Sequence, residues 1–176
     1  TPIPIFWATG AALMIRTGLY RRVGGLDKEF FAHMEEIDLC WRLRLAGYVI
    51  AAIPASRVFH LGGGSLPASN PRKTYLNFRN NLLLLHKNLP ARDVRATLFR
   101  RRLLDTLAWA KFILSLDFRN AAAILHAHRD FRTMRRAYTS HPDRNLLREP
   151  MSRTNILHAP LLQTAVTKLT NHAHTA

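Results

Sequence analysis

The chain has 176 residues, with 26 Lys and Arg against 11 Asp and Glu and a formal charge of +15. That length can hold one domain with a real core, and a lone cysteine rules out an intrachain disulfide or a CxxC pair and fits a reducing cytosol. The basic balance suits anionic partners, yet the sequence has no zinc-finger spacing, RNP-like stretch or heptad repeat, so nucleic acid is the minor alternative.

Residues 3–7 alternate Pro with large apolar side chains, and the apolar run at 10–15 predicts a buried strand. Thr17 is a natural N-cap for a short helix over 17–23, closed by Gly24 and Gly25. Residues 34–46 contain neither Pro nor Gly, and Gly47 stands where a left-handed cap is usual, so a second helix is predicted. All five acids before residue 91 lie between Asp27 and Asp38.

An advance of about 100° per residue puts Glu35, Asp38 and Arg42 on one helix face and Glu36 roughly a quarter turn away, beside Leu39 and Leu43. Asp38 and Arg42 have the spacing of an ion pair that steadies the helix. Glu36 has no such partner, and a carboxylate held among apolar groups has a raised pKa suited to proton abstraction. The alternative for these acids is that they complement the helix dipole. Trp41 and Cys40 are assigned to the core. Residues 48–53 and 57–61 predict two short strands around Pro54, with His60 at the end of the second and Gly62, Gly63 and Gly64 behind it. A single histidine at a strand end reads as structural. The glycines are either a flexible turn or a place where a ligand comes close.

The order F-F-A-H-M-E-E-I-D-L-C-W-R, then G-Y, P and H-L-G-G-G-S, resembles the C-terminal half of the catalytic domain of family 2 glycosyltransferases, inverting enzymes of the GT-A fold that include bacterial rhamnosyltransferase-like proteins. The resemblance covers about residues 10–88 and implies an α/β fold: the C-terminal portion of a GT-A domain, followed by basic amphipathic helices. It implies boundaries at residues 1–68 for the catalytic part, 69–138 for the helical extension and 139–176 for a poorly ordered tail. The family's Glu-Asp-x-Asp-Leu falls on residues 35–39, which places Glu36 as general base, with Glu35 and Asp38 beside it. Glu stands where the family usually has Asp. By the same resemblance His60 ligates a divalent metal, Mg or Mn, held mostly by the nucleotide-binding half with its Asp-x-Asp motif. No Asp-x-Asp occurs in this sequence, so a fragment or truncated product, inactive by itself, is expected. Gly10 and Asp27 would line the acceptor side, with a packing Gly and a turn Asp as the alternatives. The implied partners are a nucleotide-sugar donor and a saccharide or lipid-linked acceptor.

Asn70 and Pro71 open a predicted helix over 72–88 that Leu89 and Pro90 stop. By the resemblance, Arg79 reaches the donor diphosphate or an anionic acceptor, with Arg72 and Lys73 as further phosphate contacts; solvated cations are the alternative. Helices are predicted over 92–116 and 119–138. The apolar part of the first, behind Arg100, Arg101 and Arg102, is too short to cross a bilayer. It reads either as an interfacial helix on anionic membrane, which would make the protein cytoplasmic and peripheral at the inner face of the cell membrane, or as a helix packed on the rest of the chain. A non-catalytic basic module that binds membrane or a partner is the alternative function. From residue 140 on, Pro142, Pro150 and Pro160 interrupt any long element and predict poor order, with a short helical piece at 161–169.

Overall fold

The computed structural model describes residues 1–60 and 70–148. Leu61, the glycine run, and the predicted helical piece at 161–169 lie outside the described residues. Helices dominate: α1 (Thr17–Arg22), α2 (Glu35–Leu45), α3 (Pro71–Asn88), α4 (Ala91–Leu114) and α5 (Phe118–Met134). The β part of the expected α/β fold amounts, among the described residues, to two antiparallel strands, β1 (Ile3–Ile5) and β2 (Ile50–Ala52), with Ile5 opposite Ile50.

Helix boundaries follow local chemistry. Asn70 accepts from the Arg72 N–H at 2.9 Å, and Pro71 fills the first helical position of α3, where a missing N–H costs nothing. Gly47, at φ +87°, closes α2 with its N–H on Arg44 O. Gly25 closes the turn after α1 at φ +64°, where a Cβ would come within 3.0 Å of the Tyr20 ring. Arg16, not Thr17, takes the N-cap position of α1.

Two predicted strands are not formed. Gly10–Ala12 makes a turn of 3-10 helix behind the Thr9 cap, and Met14 stands in solvent, because the apolar run has no neighbouring strand to receive its backbone groups. Residues 57–60 likewise run as exposed irregular chain after a turn that ties Ser56 N to Ile53 O.

α3 is the spine. It packs against α2, α4 and α5, and Leu82, Leu83, Leu84 and Leu85 on successive positions supply buried side chains in all these directions. Trp41 of α2 joins them with Phe6 set edge-on at 5.4 Å, so the core assignment of Trp41 holds. Cys40 is buried beside it, and burial pushes its thiol up, away from reactivity. Residues 139–148, expected to be poorly ordered, are docked instead. Leu146 is fully buried, and Asn145 and Arg148 donate to Asp93 at 2.8 and 2.6 Å. Proline there stops helices without preventing one leucine from finding the core.

Candidate active site

The site is built where α2 begins. A run of three non-glycine residues with positive φ leads into the helix: Phe31 at 62°, His33 at 70° and Met34 at 73°. Phe31, with ψ −61°, is the centre of a γ-turn closed by Ala32 N on Phe30 O at 2.7 Å, a rare and strained conformation. Such backbone persists only where neighbours over-determine it.

The neighbours are on α3. Asn80 is fully buried and its Nδ2 donates to the carbonyls of Phe30, Ala32 and His33 at 2.8, 2.8 and 2.7 Å. Arg79 is buried too: it donates to the carbonyls of Glu29 and Phe30 at 2.7 and 3.1 Å and to Asn80 Oδ1 at 2.9 Å. Arg79, which the resemblance puts against a diphosphate, is in this structure turned inward onto these groups. Its guanidinium satisfies carbonyls that the strained turn leaves without a ladder partner.

A second polar cluster lies under the first turns of α2. Asp38 is fully buried and accepts from Arg42 Nε at 2.8 Å, Lys87 Nζ at 2.9 Å and Asn88 Nδ2 at 2.8 Å. The predicted Asp38–Arg42 pair is therefore present, and Arg42 also donates to the carbonyls of Val23 and Gly25. Lys87 bridges on to Asp27 at 2.7 Å, which in turn accepts from Tyr138 at 2.8 Å and Glu29 N at 3.0 Å. Burial alone would raise the Asp27 carboxyl, but these three donors and the Lys87 charge hold it below the usual carboxylate range. Burial and its bond to Asp27 push the Tyr138 phenol well up. Asp38 and Asp27, both candidates for direct roles, are thus enclosed in a bonded network that fixes α2 against α3.

Glu36 is different. One of its carboxylate oxygens, Oε2, is buried with no hydrogen-bond partner, as is Oε2 of Glu35. Burial pushes the Glu36 carboxyl above its ordinary value, backbone N–H donors only partly oppose that, and the Glu35 charge adds to it. A carboxylate buried without a cation, at the mouth of a strained loop, is equipped to take a proton.

The remaining candidates divide. Gly10 flanks the acid: a methyl group there would stand 3.9 Å from Glu36 Cβ, so its lack of a side chain keeps that wall thin. Arg72 stacks on the exposed Phe31 ring at 5.1 Å, and Lys73 lies close enough for its charge, after burial, to lower the His33 imidazole. Both cations therefore sit beside the strained loop. His60 is exposed. The described residues gather no group of three or more His, Cys, Asp or Glu side chains, so they do not complete a divalent-metal site.

Sequence reasoning missed Asn80, Lys87, Asn88 and Tyr138. The first three were within reach: 80, 84, 87 and 88 share a face of a helix over 72–88, and polar residues inside an otherwise leucine-rich face signal buried partners. Nothing local marks Tyr138, whose partner lies 111 residues away.

No family profile and no solved structure matches the chain. Curated proteins do. The N-acetylglucosaminyl-diphospho-decaprenol L-rhamnosyltransferase of Mycobacterium tuberculosis is 37% identical over 57 residues, 32% of this chain and 19% of that protein. Rhamnosyltransferase WbbL of Escherichia coli K12 is 39% identical over 54 residues, 31% of this chain and 20% of that protein. The low-salt glycan biosynthesis hexosyltransferase Agl10 of Haloferax volcanii is 29% identical over 85 residues, 46% of this chain and 26% of that protein. The matched stretches thus span about a fifth to a quarter of the length of these relatives. Over those stretches the chain is similar to glycosyltransferases.

Proposed function

We propose that this chain is the acceptor-side, C-terminal part of the catalytic domain of an inverting, family 2-like glycosyltransferase of the GT-A fold. It would move a sugar from a nucleotide-sugar donor to a hydroxyl of a saccharide or lipid-linked acceptor in cell-surface polysaccharide synthesis, at the inner face of the membrane. The likeness to two rhamnosyltransferases and a glycan hexosyltransferase supports the class. The observation that carries the reading is the Glu36 carboxylate, raised by burial and with one oxygen, Oε2, buried and without a hydrogen-bond partner.

In this reading Glu36 accepts the proton of the acceptor hydroxyl as that oxygen attacks the anomeric carbon from the face opposite the leaving diphosphate. The new C–O bond forms as the bond to the diphosphate breaks, which inverts the centre. Asp38, Arg42, Lys87 and Asn88 hold the helix that carries the base, while Arg79 and Asn80 hold the loop before it. Arg72 and Lys73 would face anionic groups of donor or acceptor. A divalent metal would stabilise the departing diphosphate when bound; the described residues do not hold it alone, and His60 is offered as one ligand only.

The test is Glu36→Gln in a protein that also carries the nucleotide-binding half. Turnover should fall by roughly 10²–10⁴ while donor binding is kept. Turnover by Glu36→Gln at the parent rate would remove the assignment. This chain by itself should bind acceptor without transferring sugar.

A further inference from the structure

α4 has two apolar faces. Val94, Leu98 and the Arg101–Asp105 pair point into the protein. On the opposite side Phe99, Leu103, Leu107 and Leu114 align within about 80° of arc, and they are exposed by 71%, 59%, 62% and 86%. Leu116 and Phe118 carry the exposed row around the corner into α5. Arg95 and Arg102 run along one flank of the row and Arg100 and Lys111 along the other, all four of them exposed. We propose that this face of α4, with its corner, docks on an anionic lipid bilayer.

The pattern fits that occupant better than others. Large apolar side chains enter the boundary between headgroups and acyl chains, and long basic side chains on both flanks reach up to the phosphates. Neither acid of α4 belongs to the face. Asp93 is held by Asn145 and Arg148, and Asp105 is buried against Arg101 and His128. A second copy of the chain would therefore bring cations against cations, with Asp117 at the corner already engaged in capping α5 through Asn120. A free phosphate or a nucleic acid would leave the leucine row in water.

The placement bears on the site. Thr74 donates to Asn120 at 2.5 Å and fastens the start of α3 to the start of α5. The Leu116–Phe118 corner thus lies at the same end of the helical layer as Arg72 and its exposed partner Phe31. A bilayer on that corner is near the loop that leads to Glu36. The inference does not rest on the transferase reading, since the binding needs no turnover.

The experiment is co-sedimentation of the full chain with vesicles of phosphatidylcholine, with and without phosphatidylglycerol. Partition onto the anionic vesicles should exceed that onto neutral ones by at least about tenfold. Leu103→Glu combined with Leu107→Glu should lower it by at least about tenfold. Arg100→Gln combined with Arg102→Gln should lower it by about 25-fold, near fivefold for each charge. The α1 pair Arg21→Gln and Arg22→Gln should leave it within about twofold. Circular dichroism checks the fold, and Leu114→Glu serves if the leucine pair unfolds. Equal partition onto both vesicles overturns the proposal, as does an equal loss in the α1 pair, which would show diffuse charge. Leucine variants that break up a dimer and leave vesicle binding intact would assign the face to a second copy.

Discussion

Two acids two residues apart on α2, the fully buried Asp38 and the half-buried Glu36, have opposite surroundings. Asp38 meets Arg42, Lys87 and Asn88, and no oxygen of it is left over. Glu36, one half-turn earlier, keeps an oxygen buried with nothing donating to it. In a folded chain nearly every buried polar atom finds a partner, so the unpaired Oε2 of Glu36, like that of Glu35, leaves an acceptor for a donor that arrives from outside. On the proposed reading the satisfied acid holds the helix and the unsatisfied one takes the proton.

The difference can be broken by mutation. Asp38→Ala takes the shared carboxylate from Lys87, Arg42 and Asn88, which keep only Asp27 and backbone carbonyls, and should cost about 3–5 kcal/mol in urea unfolding. Glu36→Gln removes a charge that burial disfavours and should change stability by less than about 1 kcal/mol, in the stabilising direction. A larger loss from Glu36→Gln than from Asp38→Ala would reverse the two roles. Next in size is Asn80→Ala, which takes a donor from the carbonyls of Ala32 and His33 and from that of Phe30, where Arg79 stays. It should cost about 2–3 kcal/mol, and amide exchange in that loop should rise while α4 and α5 stay protected.

Relieving the strain tests the loop from the other side. Phe31→Gly accepts φ 62° without a Cβ clash and should return about 1 kcal/mol, less about 0.5 kcal/mol for the lost stacking on Arg72. A small rise in Tm together with reduced turnover in the complete enzyme is the expected result. A fall in Tm would show that the turn is not strained but held by the phenylalanine ring.

What the sequence disclosed follows from how local each cause is. The α2 helix, its Asp38–Arg42 pair, its Gly47 cap and the Asn70–Pro71 start of α3 depend on residues within four positions of one another, and all are present. The strand expected at 10–15 failed because an apolar run says nothing of whether a neighbouring strand exists. Arg79 and Arg101 were expected to face anions outside the protein. Both turn inward, Arg79 to the carbonyls of Glu29 and Phe30 and Arg101 to Asp105, 2.7 Å away. Nothing adjacent in sequence tells Arg79 from Arg72. Only the strained turn of 30–34, a product of tertiary packing, creates the carbonyls that draw Arg79 in.

The smallest effect is also the most specific, because the two kinds of acid should bend the stability curve in opposite senses. Asp27 has its carboxyl held below the unfolded value, so its contribution is present above that value and is lost as pH falls through the lower, folded one. Glu36 has its carboxyl raised, so folding favours its protonated form, and stability falls as pH rises from the unfolded value toward the folded one. From about pH 3 to 6 the two slopes lie in adjacent windows, that of Asp27 below its unfolded 3.8 and that of Glu36 above its unfolded 4.5. Asp27→Asn should remove the acid-side loss contributed by that residue and flatten the decline below about pH 4, whatever it costs at neutral pH. Glu36→Gln should remove the gain in stability that acidification brings above about pH 4.5. Unfolding free energies measured across that window in the three proteins separate these outcomes. Identical curves for Glu36→Gln and the parent would mean that Glu36 titrates as it does in the unfolded chain, and the carboxylate would lose the property that singles it out as a base.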